Sequence, residues 1–248
     1  MRLIIPLVVA AVGCTSDPAS TGDTDRNTGW TLPEAGVIQL TTRDDVTLVA
    51  DYHPVDAEGA PAVILLHMIP PSNTRADWPL DFRTALHDQG LTVISVDRRG
   101  AGDSGGVASE AYTGTNGKFD VEACAKRLQD DGYGSIAIIA ASNGTTSMID
   151  YAAWAGGEGL PEPVGLAFMS GGAYTTAQTP MSSVPKVPAL FVYPPEEAAW
   201  PQAQASLDPG SWRFEEYAGG AHGTRMFTTS VDAEVRADLL EWIGGVFE

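Results

Sequence analysis

The sequence predicts a doubly wound α/β fold, in which an eight-stranded, mostly parallel sheet carries helices on both faces. Two observations predict it. Strand-like and helix-like segments alternate from about Gly36 to the end of the chain, which is the pattern of α/β domains. From Ala62 onward the strand-like segments are continuously apolar, as expected of parallel strands that are covered on both faces. With 248 residues, 44% of them hydrophobic, the chain can bury one large core.

The first two strand-like segments differ from the rest. Residues 36–42 and 46–52 alternate apolar and polar side chains on either side of a short polar link. This alternation predicts an antiparallel hairpin near an edge of the sheet. The other predicted strands are residues 62–66, 92–96, 135–140, 164–169, 189–193 and 212–217.

Helices are predicted between these strands, over residues 78–90, 118–132, 145–157 and 230–247. The first two end at Gly90 and Gly132, and glycine favours the C-terminal cap of a helix. Cys124 lies at an apolar position of the second helix, so we predict that it is a buried free thiol.

The N-terminus is predicted to lie outside the fold. Residues 3–12 form an apolar run of ten after Met1-Arg2, which suits a signal peptide over residues 1–13 but is too short to span a bilayer. The segment Ala11-Val12-Gly13-Cys14 resembles a bacterial lipoprotein signal. That resemblance implies that Cys14 is acylated and anchors the protein to a lipid bilayer of the cell envelope. An ordinary cleaved signal, and hence a secreted protein, is the alternative.

Residues 14–35 are predicted to be a flexible linker, followed by one domain over residues 36–248. Within the linker, residues 15–29 contain no Ile, Leu, Val or aromatic side chain, so they have too little apolar surface to bury on folding.

Composition excludes several classes of partner. Lys and Arg number 14 against 32 Asp and Glu, a net charge of −18 without any basic cluster, so we expect no nucleic-acid partner. The four histidines and two cysteines are scattered, so we expect no metal site. No Gly-x-Gly-x-x-Gly follows the first parallel strand, so we expect no dinucleotide. We expect no other cofactor either.

Three polar residue types follow predicted strands, where ligands bind in parallel sheets. Ser142 follows residues 135–140, the pair Glu196-Glu197 follows 189–193, and His222 follows 212–217. Taken alone, Ser142 is most simply a polar residue that ends a buried strand. A nucleophilic serine needs a base to take its proton, and that base needs a carboxylate to orient it. All three types are expected at one edge of the sheet.

Four motifs occur in the order Leu66-His67-Met68, Asp97-Arg98-Arg99-Gly100-Ala101-Gly102-Asp103-Ser104, Ala140-Ala141-Ser142-Asn143-Gly144 and Gly220-Ala221-His222-Gly223. Together they resemble the α/β-hydrolase family over about residues 36–247. Met68 stands where the family's oxyanion loop usually has glycine, and Ala140 replaces the first glycine of the nucleophile turn. Residues 170–188 contain no amphipathic helix, so the resemblance is to the compact, lidless, dienelactone-hydrolase-like or esterase-like members.

The resemblance implies a serine hydrolase that acts on a small carboxylic ester, or on an amide or thioester, through an acyl-enzyme. Ser142 would be the nucleophile and His222 the base. Glu197 would be the acid, with Glu196 as the alternative. The backbone N–H groups of Asn143 and Ile69, or less readily Met68, would form the oxyanion hole. The alternative is a non-catalytic lipoprotein of the same fold that binds a ligand or a protein partner.

Overall fold

A computed structural model describes residues 30–248. The predicted signal peptide 1–13, the predicted acylation site Cys14 and residues 15–29 of the predicted linker lie outside these described residues. Between residues 30 and 248, no helix is long and apolar enough to cross a membrane.

One eight-stranded sheet has the strand order β1-β2-β4-β3-β5-β6-β7-β8. β2 runs antiparallel to β1 and to β4, and all other neighbouring strands are parallel. The predicted mostly parallel sheet and the hairpin at its edge are therefore confirmed. The strands are β1 Gly36–Thr41, β2 Thr47–His53, β3 Ala62–Leu66, β4 Thr92–Val96, β5 Ile136–Ala141, β6 Pro163–Met169, β7 Ala189–Tyr193 and β8 Trp212–Glu216.

Within residues 30–248, five α-helices lie between strands and a sixth follows the last strand. The first begins two residues later than predicted, because Trp78 precedes Pro79 and is extended (φ −83°, ψ 110°), as residues before proline usually are. The second and fifth helices were not predicted, since six residues are too few to show a helical period. The helices are α1 Leu80–Asp88, α2 Ala108–Thr113, α3 Gly117–Asp130, α4 Gly144–Glu158, α5 Ala199–Gln204 and α6 Asp232–Val246.

An aromatic cluster ties the end of the chain to the region after β3. Trp78 is fully buried and stacks on Phe82 of α1 with 6.1 Å between ring centroids. Phe227 lies 5.1 Å from Phe82 and 6.0 Å from Trp78. Phe227 belongs to a 3-10 segment, Gly223–Thr228, that begins directly after His222. The cluster therefore fixes the position of the histidine loop against the loop after β3.

Two further predictions are confirmed in the described residues. Cys124 on α3 is a free thiol with no exposed surface, and burial raises its pKa. Between β6 and β7, the only helical segment is the 3-10 turn Met181–Ser183. The carboxyl edge of the sheet therefore has no large cap.

Candidate active site

Ser142 lies in a tight turn between β5 and α4. Its φ is +49°, in the left-handed region that costs a non-glycine residue about 1–2 kcal/mol. The backbone of the turn is well bonded: Ser142 N donates to Met169 O over 2.8 Å, and Thr145 N donates to Ser142 O over 2.9 Å. The hydroxyl is thereby held at the carboxyl edge of the sheet.

Gly144 is required by the close approach of this turn to the end of β3. A Cβ atom at this position would lie 2.6 Å from His67 O and 2.8 Å from Leu66 O, well inside van der Waals contact. Ala140, which replaces the first glycine of the motif, is instead a fully buried residue of β5, where a methyl group fits.

His222 lies between a serine and a carboxylate. Its Nε2 atom is 2.6 Å from Ser142 Oγ, and its Nδ1 atom is 2.6 Å from Glu197 Oε1. Because an ionised carboxylate only accepts hydrogen bonds, Nδ1 carries the proton and Nε2 is free to accept from the serine hydroxyl. Glu196, the alternative acid, is exposed and has no hydrogen bond or ion pair among the described residues. Of the two glutamates, the structure brings only Glu197 to the histidine.

The histidine loop is anchored by a second serine that follows a strand. Ser170, directly after β6, also has a positive φ of +54°, and its Oγ atom accepts a hydrogen bond from Gly223 N over 2.8 Å.

A Cβ atom at Gly223 would lie 2.6 Å from Met68 Sδ. The thioether of Met68, 4% exposed, therefore packs where a side chain at position 223 would be. This contact explains how methionine is accommodated in the loop after β3.

Of the residues proposed for an oxyanion hole, Asn143 directly follows Ser142, and Ile69 lies in the loop after β3. The backbone N–H groups of Asn143 and Ile69 have no acceptor among residues 30–248. Ile69 is 42% exposed, whereas Met68 is buried in the core. The carbonyl of Met68 accepts from His67 Nδ1 over 2.9 Å and from Arg98 Nη1 over 3.1 Å.

His67 is a neutral structural histidine. Its Nε2 atom accepts from Arg98 N over 2.8 Å, so its Nδ1 atom is the one that donates to Met68 O. Burial, and then the charge of Arg98, lower the pKa of His67 to about 3. The ring therefore bridges the loop after β3 and the loop after β4 without exchanging a proton at neutral pH.

The segment after β4 is held by charged hydrogen bonds. Asp97 accepts from Arg75 N over 2.7 Å and from Asp103 N over 3.0 Å. Arg99 pairs with Asp120 over 2.8 Å and with Asp44 over 2.7 Å. Such bonds fix the shape of a loop.

Sequence reasoning missed Tyr174, which lies in the connection between β6 and β7. Its ring meets the His222 ring edge-on with 6.4 Å between centroids, and its hydroxyl donates to Ser170 O. Burial raises the pKa of the Tyr174 hydroxyl to about 12, a hydrogen bond with Ser142 lowers it, and the charge of Glu197 raises it. The only available signal was the position of residues 170–174 after a parallel strand.

Within the described part of the chain, no three His, Cys, Asp or Glu side chains come together as a metal site would require. The chemistry that this arrangement can perform is proton transfer from Ser142 to His222, with Glu197 able to stabilise the imidazolium that results.

Several solved structures resemble this fold. An esterase from Pyrococcus furiosus has a TM-score of 0.64 at 17% identity, covering 85% of this chain and 90% of that one. A serine hydrolase without a lid from Xanthomonas campestris has a TM-score of 0.64 at 14% identity, covering 86% and 95%. A dienelactone hydrolase from Anabaena variabilis has a TM-score of 0.65 at 13% identity, covering 85% and 96%. No protein-family model and no curated protein matches the sequence.

These superpositions span most of each chain, although the sequences have diverged far. The matched proteins are esterases and other hydrolases, one of them described as an α/β serine hydrolase without a lid. The protein therefore has the α/β-hydrolase fold, with no large cap in its described residues.

Proposed function

We propose that this protein is a serine hydrolase that cleaves small carboxylic esters through an acyl-enzyme. One observation carries the proposal: the hydrogen-bonded series Ser142–His222–Glu197, with 2.6 Å at each step, at the edge of the sheet where parallel α/β folds bind ligands. A buried polar residue that merely ended a strand would have no need of an imidazole and a carboxylate in line behind it.

In the first half of the reaction, Ser142 Oγ attacks the carbonyl carbon of the ester while its proton moves to His222 Nε2. The carbonyl oxygen becomes an oxyanion, which the N–H groups of Asn143 and Ile69 stabilise. The carbon–oxygen bond to the leaving group then breaks, and the departing alkoxide takes the proton from His222. The products are an alcohol and an ester of Ser142.

In the second half, water attacks the acyl carbon and gives a proton to His222 Nε2. The oxyanion forms again at the same donors. Its collapse releases the carboxylic acid, and Ser142 Oγ recovers the proton from His222. Throughout, Glu197 holds Nδ1–H and stabilises the imidazolium, so that Nε2 faces the reacting atoms in both halves.

The likeness to a lidless serine hydrolase and a dienelactone hydrolase supports a small, soluble ester as substrate. Residues 170–188 form no large cap, so a substrate can reach Ser142 without the opening of a lid. An interfacial lipase, by contrast, requires such an opening. Amides and thioesters pass through the same tetrahedral intermediate, so they belong to the range of substrates to be assayed.

The decisive test compares the native chain with Ser142→Ala on short p-nitrophenyl esters and with a fluorophosphonate probe. We expect kcat to fall by a factor of about 10³ or more and labelling to disappear, with the melting temperature retained. Exposed Ser183→Ala serves as the matched control and should behave as the native chain. A folded native chain that neither turns over esters nor reacts with the probe would favour the non-catalytic, ligand-binding alternative.

We also propose that the domain is tethered to the bacterial cell envelope through acylated Cys14. The support is the sequence Ala11-Val12-Gly13-Cys14 after an apolar run. In a bacterial host, the native chain should take up labelled palmitate and fractionate with membranes. Cys14→Ser should be unlabelled and soluble, and Cys124→Ser should behave as the native chain. Soluble, unlabelled native protein would instead indicate an ordinary cleaved signal.

A further inference from the structure

Arg98 is a buried guanidinium without a carboxylate partner. It has no exposed surface, and none of the ion pairs among residues 30–248 includes it. The nearby Asp120 instead pairs with Arg99 over 2.8 Å. Burial lowers the pKa of Arg98 to about 10, so it remains charged at neutral pH. Burying a charge without an opposite charge beside it is unfavourable, which raises the question of what this charge does.

Carbonyl and side-chain oxygens take the place of a counter-ion. On one side, Nη2 donates to Ala111 O over 2.9 Å and to Ser147 Oγ over 2.8 Å. On the other side, Nη1 donates to Met68 O and to Asn143 Oδ1, each over 3.1 Å. The Nε atom has no partner among the described residues. The guanidinium is thus held from behind by α2 and α4, and it faces the two residues that flank the proposed oxyanion hole.

The bond to Met68 O fixes a neighbouring donor. The C=O of Met68 and the N–H of Ile69 belong to one trans peptide group, in which the two bonds point in opposite directions. With the carbonyl held inward by Arg98 and by His67 Nδ1, the Ile69 N–H must point outward, towards the exposed side where Ile69 lies. A cation on the carbonyl oxygen also polarises the peptide group, which makes its N–H a stronger donor.

The bond to Asn143 acts on the second donor. Asn143 lies between Ser142 and α4, and its side chain is 3% exposed. The Asn143 Oδ1 atom accepts from Arg98, and the Asn143 backbone N–H has no acceptor among residues 30–248, so this N–H is available to an incoming oxygen.

We propose that Arg98 is a positioning residue that orients and polarises the oxyanion hole, by holding the Met68 carbonyl and the Asn143 side chain from the buried side. This inference rests on the proposed hydrolase function. It adds that a fixed charge beneath the hole, which touches no substrate atom, contributes to stabilising the transition state. Such an effect is realised only when the oxyanion forms, so it changes kcat rather than KM.

The experiment measures Arg98→Met, which removes the charge at similar length, and Arg98→Lys, which keeps the charge but not the planar fork. Substrates are short p-nitrophenyl esters, and an alkyl trifluoromethyl ketone serves as the probe because its adduct with serine carries an oxyanion. For Arg98→Met we expect kcat to fall about 10- to 100-fold with KM within about threefold, and inhibition by the ketone to weaken in parallel. Arg98→Lys should recover part of both losses.

Ser147→Ala is the fold control, since it removes a contact of Nη2 but leaves Nη1 and the charge in place; it should lose less than Arg98→Met. A folded Arg98→Met protein with native kcat and native ketone affinity would overturn the inference. So would failure of both variants to fold, which would assign Arg98 to stability alone. Failure of the proposed hydrolase function is a separate outcome, because the native chain itself would then hydrolyse none of these esters.

Discussion

Nδ1 of His222 lies 2.6 Å from Oε1 of Glu197. The 3-10 turn Pro195–Glu197 after β7 brings this about, because successive side chains in such a turn point about 120° apart. Glu197 faces the histidine and the preceding Glu196 faces solvent.

The two glutamates form a matched pair for mutation. Glu197→Gln should reduce kcat by about 10³- to 10⁴-fold, because an amide can stabilise neither the required tautomer nor the imidazolium. Glu196→Gln removes the same charge one residue away and should leave ester hydrolysis unchanged. Steady-state kinetics on one short ester are sufficient, and equal losses in both variants would contradict the assignment of the acid.

The turn at Ser142 should tolerate no side chain at Gly144. We expect Gly144→Ala to lower the free energy of unfolding by about 3 kcal/mol, because the new Cβ would lie 2.6 Å from a backbone oxygen that cannot move away easily. Gly157→Ala, on the same helix, meets nothing within 4 Å and should stabilise by up to about 1 kcal/mol. Urea unfolding measures both, and a Gly144→Ala protein as stable as the native chain would refute the close approach.

Ser170 should matter to both stability and turnover. Ser170→Ala leaves the buried Gly223 N–H without its acceptor, which we expect to cost about 1–3 kcal/mol of stability and to lower kcat, since Gly223 adjoins His222. The exposed Ser183→Ala in the same connection is the control. Native kcat in a Ser170→Ala protein would show that the histidine loop holds its position without this bond.

The acid sensitivity of folding should include a contribution from His67. Its pKa is about 3 in the folded protein against an ordinary value of 6.5, so between these pH values the unfolded chain binds more protons. Stability from this group is therefore complete above about pH 6.5 and is lost as the pH falls.

Replacing His67 by asparagine should flatten the fall in stability between pH 7 and pH 5, as measured by urea midpoints at each pH. His53 also has its pKa lowered by burial, but it is less buried, so His53→Asn should flatten the fall less. Two variants with the same slope as the native chain would contradict burial of a neutral imidazole at position 67.

Much of the site could be predicted because it depends on strand order. Once Ser142, Glu197 and His222 were each found after a parallel strand, the topology alone required them to meet at one edge. The choice between Glu196 and Glu197 could not follow from topology, because it depends on the local turn geometry.

Ser170, Tyr174 and Arg98 show where the sequence was insufficient. Each contributes through a contact with a residue distant in the chain, for example Ser170 with Gly223 and Arg98 with Asn143. Serine, tyrosine and arginine after strands are common, and nothing in their local pattern indicates which distant atom they reach. The start of α1 was likewise set by a single proline rather than by the apolar period.

The buried thiol of Cys124 allows transient opening of the domain to be measured. A maleimide cannot reach it in the folded state, since the side chain has no exposed surface, so each labelling event records an opening of the core around α3. Cys14 is the other cysteine in the sequence, and acylation would remove it as a competitor. The rate of labelling would then report how often the core around α3 opens, without added denaturant.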